Sequence, residues 1–131
     1  MPRKFQESFE KLSKKKPYKS LEPEIIEYFF DKKTSGLVAG IRLNNSETEP
    51  YIKKRLEGKG GFRFYFLIII KNDNLYLMFV HPKTGPDGAD NIDDKYKAYI
   101  YKDALKCIKT NDLYLLTLDK EKGVILFHKI N

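Results

Sequence analysis

Apolar residues recur at Phe5, Phe9 and Leu12 among charged neighbours. That spacing predicts a helix from Phe5 to Lys15 that buries one narrow face and leaves the rest solvated. Lys14, Lys15 and Lys16 close it ahead of Pro17, since cations suit a helix C-terminus. Ser20 is placed to cap a second helix, from about Leu21 to Lys33, with Pro23, Glu22 and Glu24 in its first turn. Ile25, Ile26, Phe29 and Phe30 give it a broad apolar face that needs a sheet to cover it. The two helices make a helical hairpin.

The period then changes to two. Gly36 to Leu43 alternates weakly as a first strand, and the polar stretch Asn44 to Pro50 is a loop. Tyr51 to Leu56, Phe62 to Lys71 and Leu75 to His81 are three further strands. The Asn72-Asp73-Asn74 turn joins the last two, so these three form an antiparallel meander. Pro82 to Asn91 is a loop, and Asp93 and Asp94 open a helix that runs to about Lys109. Leu113 to Leu118 and Val124 to Ile130 flank Asp119 to Gly123; they fit a hairpin, or a short helix followed by a strand. The whole reads as one α+β domain over residues 1–131.

Alternation gives the strands chemistry as well as a core. Tyr51 to Tyr65 holds five cations (Lys53, Lys54, Arg55, Lys59 and Arg63) among aromatics and glycines. Ile52 and Leu56 point one way, Lys53 and Arg55 the other. After the turn Phe62, Phe64 and Phe66 share one face, and Arg63 and Tyr65 the opposite one. A face bearing Lys53, Arg55, Arg63 and Tyr65 suits a polyanion: cations meet phosphates and the ring stacks on a base. The net charge of +7 and a pI near 9.3 point the same way, towards nucleic acid, an anionic surface or an acidic partner.

Other chemistries lack their residues. Cys107 is the single cysteine, which excludes an intramolecular disulfide and suits a reducing compartment; in a helix such a residue is ordinarily a small buried apolar group. His81 and His128 are far apart, without metal-ligand spacing. Gly58-Lys-Gly-Gly61 precedes a strand, so it reads as a hairpin turn and not as a phosphate cradle. No nucleophile elbow occurs. The expectation is therefore no metal and no cofactor. No secretory segment is evident, and Phe64 to Ile70 is too short to span a bilayer, so a cytoplasmic protein is expected. RNA, by contrast, is cut without a metal when its 2′-hydroxyl attacks the adjacent phosphate and cations stabilise the developing charge. Lys53, Arg55, Arg63 and Lys83 fit that role, with Lys54, Lys59, Tyr65 and His81 as further RNA contacts.

These residues carry a resemblance. Gly36-Leu-Val38, Lys53-Lys-Arg55, Gly58-Lys-Gly-Gly-Phe-Arg63, Phe79-Val-His-Pro-Lys83 and Asn91-Ile92 follow one another in an order similar to that of RelE-like toxins. Those toxins belong to bacterial type II toxin–antitoxin systems, and the likeness is to the HigB-like branch of the RelE/ParE superfamily. It implies a microbial-ribonuclease-like α+β fold: a helical hairpin on a four-stranded, mainly antiparallel sheet with a C-terminal helix. It implies an mRNA endonuclease acting on translating ribosomes and neutralised by a cognate antitoxin, with DNA met only through the antitoxin complex. Lys53 and Arg55 would be its second-strand cations, Arg63 its third-strand phosphate ligand and Lys83 its fourth-strand cation. Asn91 would cap the following helix. His128 is the stand-in for the family's terminal acid or base, and the terminal segment would be helix plus strand. Two other readings stand beside it: a gyrase poison of the ParE type, and a basic RNA- or protein-binding module without enzymatic activity.

Overall fold

Helix α1 (Arg3–Ser13) and helix α2 (Leu21–Phe29) form where the apolar spacing requires them, and bury Phe5, Phe9, Leu12, Leu21, Ile25 and Phe29. The computed structural model describes residues 2–30, 32–56, 61–83, 88 and 92–130. Ser20 stands at the start of α2, but its side chain makes no capping bond there. Helix α2 stops at Phe29, short of the expected Lys33, because Phe30 is already extended. Beyond it, Thr34 donates to the Asp73 carboxylate from both its amide and its hydroxyl, at 3.2 and 2.6 Å. That anchor turns Thr34–Leu37 into a short 3-10 turn and shortens the first strand, β1, to Ile41–Arg42. Gly40 leads into β1 with φ +127°, and an added Cβ would lie 2.7 Å from the Lys53 carbonyl oxygen, so no side chain fits there.

Strands β2 (Tyr51–Arg55), β3 (Arg63–Ile69) and β4 (Asn74–His81) pair antiparallel, giving a sheet of order β1-β2-β3-β4. Asp73, in the left-handed conformation, makes the turn between β3 and β4. One face of the sheet carries Ile52, Phe62, Phe64, Phe66, Ile68, Leu77 and Val80 against α1 and α2, the main core. The other face carries Tyr51, Tyr65, Leu67 and Met78 against Ile100 and Ala104 of helix α3 (Asp94–Thr110). The Asp93 carboxylate caps α3 by accepting from the Tyr96 amide at 2.8 Å.

The end of the chain is a hairpin, β5 (Tyr114–Asp119) and β6 (Val124–Lys129), forming a separate two-stranded sheet. The helix plus strand implied by the resemblance is not what forms. The Asp119 carboxylate accepts the amides of Glu121 and Lys122, and the Asp119 carbonyl accepts that of Gly123, which closes a tight turn. The hairpin docks on the helical hairpin: Phe127 lies 5.4 Å from Phe9 ring to ring, and the Glu22 carboxylate accepts the Ile125 amide at 2.9 Å. Among the described residues no helix is long and apolar enough to cross a membrane.

Candidate anion-binding site

The pairing of β2, β3 and β4 decides which polar side chains meet. Lys53 lies opposite Tyr65 and Tyr65 opposite Phe79; Arg55 lies opposite Arg63 and Arg63 opposite His81. A bulge interrupts the second ladder: Tyr65 pairs with Phe79 but Phe66 with Leu77, leaving Met78 as the extra residue. Strict alternation from Leu77 would send Phe79 and His81 into the main core. The bulge instead turns Phe79 and His81 to the α3 face, beside Tyr65 and Arg63.

Helix α3 covers much of this face. The Tyr51 ring stacks on Tyr101 at 5.2 Å, and its hydroxyl donates to the Lys97 carbonyl at 3.0 Å. What remains is a cluster at the end of the strands, with Lys53, Arg63 and His81 all buried and Arg55 and Lys83 exposed at its rim. Gly61 (φ +55°) lets the chain turn tightly here. An added Cβ would sit 3.3 Å from both the Arg63 guanidinium and the Lys83 Cβ, which brings Lys83 close to Arg63.

Arg63 donates from Nη1 to the Gly61 carbonyl, 2.5 Å away. Its Nε is buried and has no hydrogen-bond partner among the described residues, and no carboxylate there pairs with it. Among the described residues this guanidinium gives up hydration at Nε without a carboxylate beside it, and a buried cation left so carries a cost. An anion arriving at Arg63 would offset it.

His81 is the other half of the cluster. Burial pushes its pKa below the ordinary 6.5, and the nearby charges of Lys53 and Arg63 push it further the same way, against a backbone hydrogen bond at Pro82 that raises it. The ring is neutral at pH 7. Its Nδ1 lies 3.2 Å from the Pro82 carbonyl, an acceptor only, so Nδ1 carries the proton. Nε2 is then an acceptor, and the Tyr65 hydroxyl, 3.2 Å away, donates to it. The Tyr65 oxygen accepts in turn from the Ile92 amide. Burial raises the Tyr65 pKa to about 12, although the Ile92 amide, Arg63 and Arg55 favour its anion. This is a directed chain, from the Ile92 amide through Tyr65 to His81.

The structure brings together Lys53, Arg55, Arg63, Tyr65, His81 and Lys83. It corrects the part given to Tyr65: the ring is fully buried and stacked on His81 at 5.7 Å, so no face is free for a base. Lys54 points to the opposite face, its ammonium 5.7 Å from the Tyr28 ring, so it does not join the cluster. His128 is exposed on the hairpin and bonds Thr117 at 2.9 Å; it belongs to the layer on the other side of the sheet. Lys59 and Asn91 lie outside the described residues.

Outside its core stripe α1 is solvated, as its spacing predicts, with Glu7 and Lys11 exposed. Lys4, Glu7 and Lys11 line a cavity of about 330 Å³ with Phe79, His81 and Tyr96. The signal was present as helical spacing of a second, polar stripe. What it would face depended on where β4 and α3 lay. Among the described residues no group of three or more His, Cys, Asp or Glu could hold a metal ion. Compared with protein-family models, with curated proteins and with solved structures, the chain matches none of them.

Proposed function

We propose that this protein is a metal-independent endoribonuclease, the mRNA-cleaving toxin of a type II toxin–antitoxin pair with a RelE-like, HigB-like fold. The observation that carries the reading is the buried Arg63, without a carboxylate partner among the described residues, next to a histidine kept neutral. A phosphodiester supplies the missing negative charge. Arg55 and Lys83 at the rim draw the RNA backbone in, and Lys53 and Arg63 stabilise the charge that grows on the phosphate oxygens. The 2′-oxygen bonds to phosphorus, the bond to the 5′-oxygen breaks, and the leaving oxygen takes a proton from water. His81 Nε2 is the acceptor for the 2′-hydroxyl proton when that hydroxyl replaces Tyr65 as its donor. His81 therefore takes the acid–base role that the resemblance gave to His128. A cytoplasmic location, a cognate antitoxin that occludes the cluster and action on translating ribosomes belong to the same reading.

Primer extension on transcripts of a bacterial host, after brief induction of the wild type and of Arg63→Ala, tests it. The expected result is new 5′ ends inside coding regions with the wild type only, and a loss of about 10²–10³-fold in cleavage for the variant. Circular dichroism checks that the variant folds. Growth arrest with intact transcripts and DNA damage would replace this reading with gyrase poisoning. Intact transcripts without arrest would leave an RNA- or protein-binding module.

A further inference from the structure

The cavity beside His81 has a chemistry that phosphate stabilisation does not use. Its floor is the outer edge of β4, which ends the sheet, and its walls are α1 and the first turn of α3. Phe79 and Tyr96 supply aromatic surface on one side, with rings 5.3 Å apart and edge to face. Lys4, Glu7 and Lys11 supply charge on the other, one helical turn apart on a single face. Lys4 is already engaged, its ammonium 4.4 Å from the Tyr99 ring and hydrogen-bonded to the Tyr99 hydroxyl. Glu7 and Lys11, at i and i+4, are the other charged side chains that line it, both exposed. They present two carboxylate acceptors and one ammonium donor. His81 lines the cavity and also belongs to the cation cluster, so the two sites share a wall.

We infer that this cavity between α1, β4 and α3 is a nucleobase subsite that takes guanine from the nucleotide flanking the bound phosphate, with Glu7 and Lys11 reading its edge. Guanine sets two adjacent donors, N1–H and the N2 amino group, beside the acceptor O6. One carboxylate accepts both donors and the ammonium donates to O6. Adenine and cytosine each offer a single donor group beside an acceptor, and uracil one donor between two acceptors; none satisfies both carboxylate oxygens and the ammonium together. Flat aromatic contact with a base splayed from the strand, read on its Watson–Crick edge, is how single-stranded RNA is distinguished. The volume, about 330 Å³, falls at the small end of ligand pockets, as one base requires.

The inference rests on the phosphate-binding reading of the cluster, and the two fail separately. The full chain is titrated with inorganic phosphate and with the 3′- and 5′-monophosphates of the four ribonucleosides, followed by amide and histidine NMR shifts. The wild type, Lys53→Met and Glu7→Gln are compared. The expected result is phosphate binding that Lys53→Met weakens at least tenfold. One guanosine monophosphate should bind about tenfold tighter than the other three nucleotides of its series. In Glu7→Gln, at an exposed helix position, the four should converge to within about threefold. Equal binding of all four bases by the wild type, with phosphate still bound, would overturn the subsite and leave the phosphate site standing. Preference for another base, or guanine preference that survives in Glu7→Gln, would also overturn it. No binding of phosphate or of any nucleotide would overturn both.

Discussion

His81 shows how one residue takes its character from its neighbours. A strand-end histidine has an ordinary pKa of 6.5, but burial and the charges of Lys53 and Arg63 hold this one lower. The unfolded chain therefore binds a proton between pH 6.5 and the depressed folded value, while the folded chain does not. Stability rises with pH through that window. The contribution of His81 is fully present above about pH 6.5 and is lost as pH falls through the folded pKa. Denaturant unfolding from pH 7.5 to 5 should show wild-type stability declining on the acid side. His81→Asn, which removes the titrating group, should decline less over the same range. Parallel curves for the two proteins would mean that His81 is not held neutral. Arg63 is the complementary case, a basic side chain that is itself buried. Its position follows from strand alternation, but its burial does not.

At the scale of elements, the terminal hairpin depends on what it docks against. Its own ladder runs from Tyr114 opposite Lys129 to Asp119 opposite Val124, and isolated two-stranded hairpins are marginal in water. Phe127 against Phe5 and Phe9 supplies apolar burial, and Glu22 in the first turn of α2 accepts the Ile125 amide. A hydrogen bond to a charged group contributes about 1.5–3 kcal/mol. Glu22→Ala should cost roughly 1–3 kcal/mol in denaturant unfolding and speed hydrogen exchange of the Ile125 amide. Unchanged exchange would show that aromatic packing alone fixes the hairpin. The β4 bulge is the element-scale feature that matters most for the site. A single extra residue, Met78, moves His81 from the core face to the cation face.

At the scale of the whole molecule, what matters is that the cations of the sheet are divided between its two faces. Lys53, Arg55, Arg63 and Lys83 gather on the α3 side, whereas Lys54 faces α2. Binding of a short single-stranded RNA should weaken linearly with the logarithm of salt concentration, by a slope of about 0.7 for each phosphate neutralised. Arg55→Ala should lower the magnitude of that slope by about 0.7, and Lys54→Ala should leave it unchanged. Equal effects of the two substitutions would show that binding follows net charge and not the arrangement on one face.

Periodicity alone located the helical hairpin, the meander β2-β3-β4, the helix after Asp93 and the division of β3 into a phenylalanine face and an Arg63–Tyr65 face. These follow from local geometry: 3.6 residues per turn, two per strand repeat, and turn residues between. Other features needed the folded chain. Beyond the end of α2, Thr34 is held in a short 3-10 turn because Asp73, thirty-nine residues away, accepts its hydrogen bonds. The terminal runs became a hairpin because their apolar faces found Phe5 and Phe9. Tyr65 is a buried hydroxyl partner and not a stacking surface because α3 lies over that face. The sequence by itself determined which residues share a strand face and how basic that face is. The tertiary structure decided which of them are buried, charged or neutral, because burial and electrostatic environment depend on what packs opposite, which local spacing does not encode.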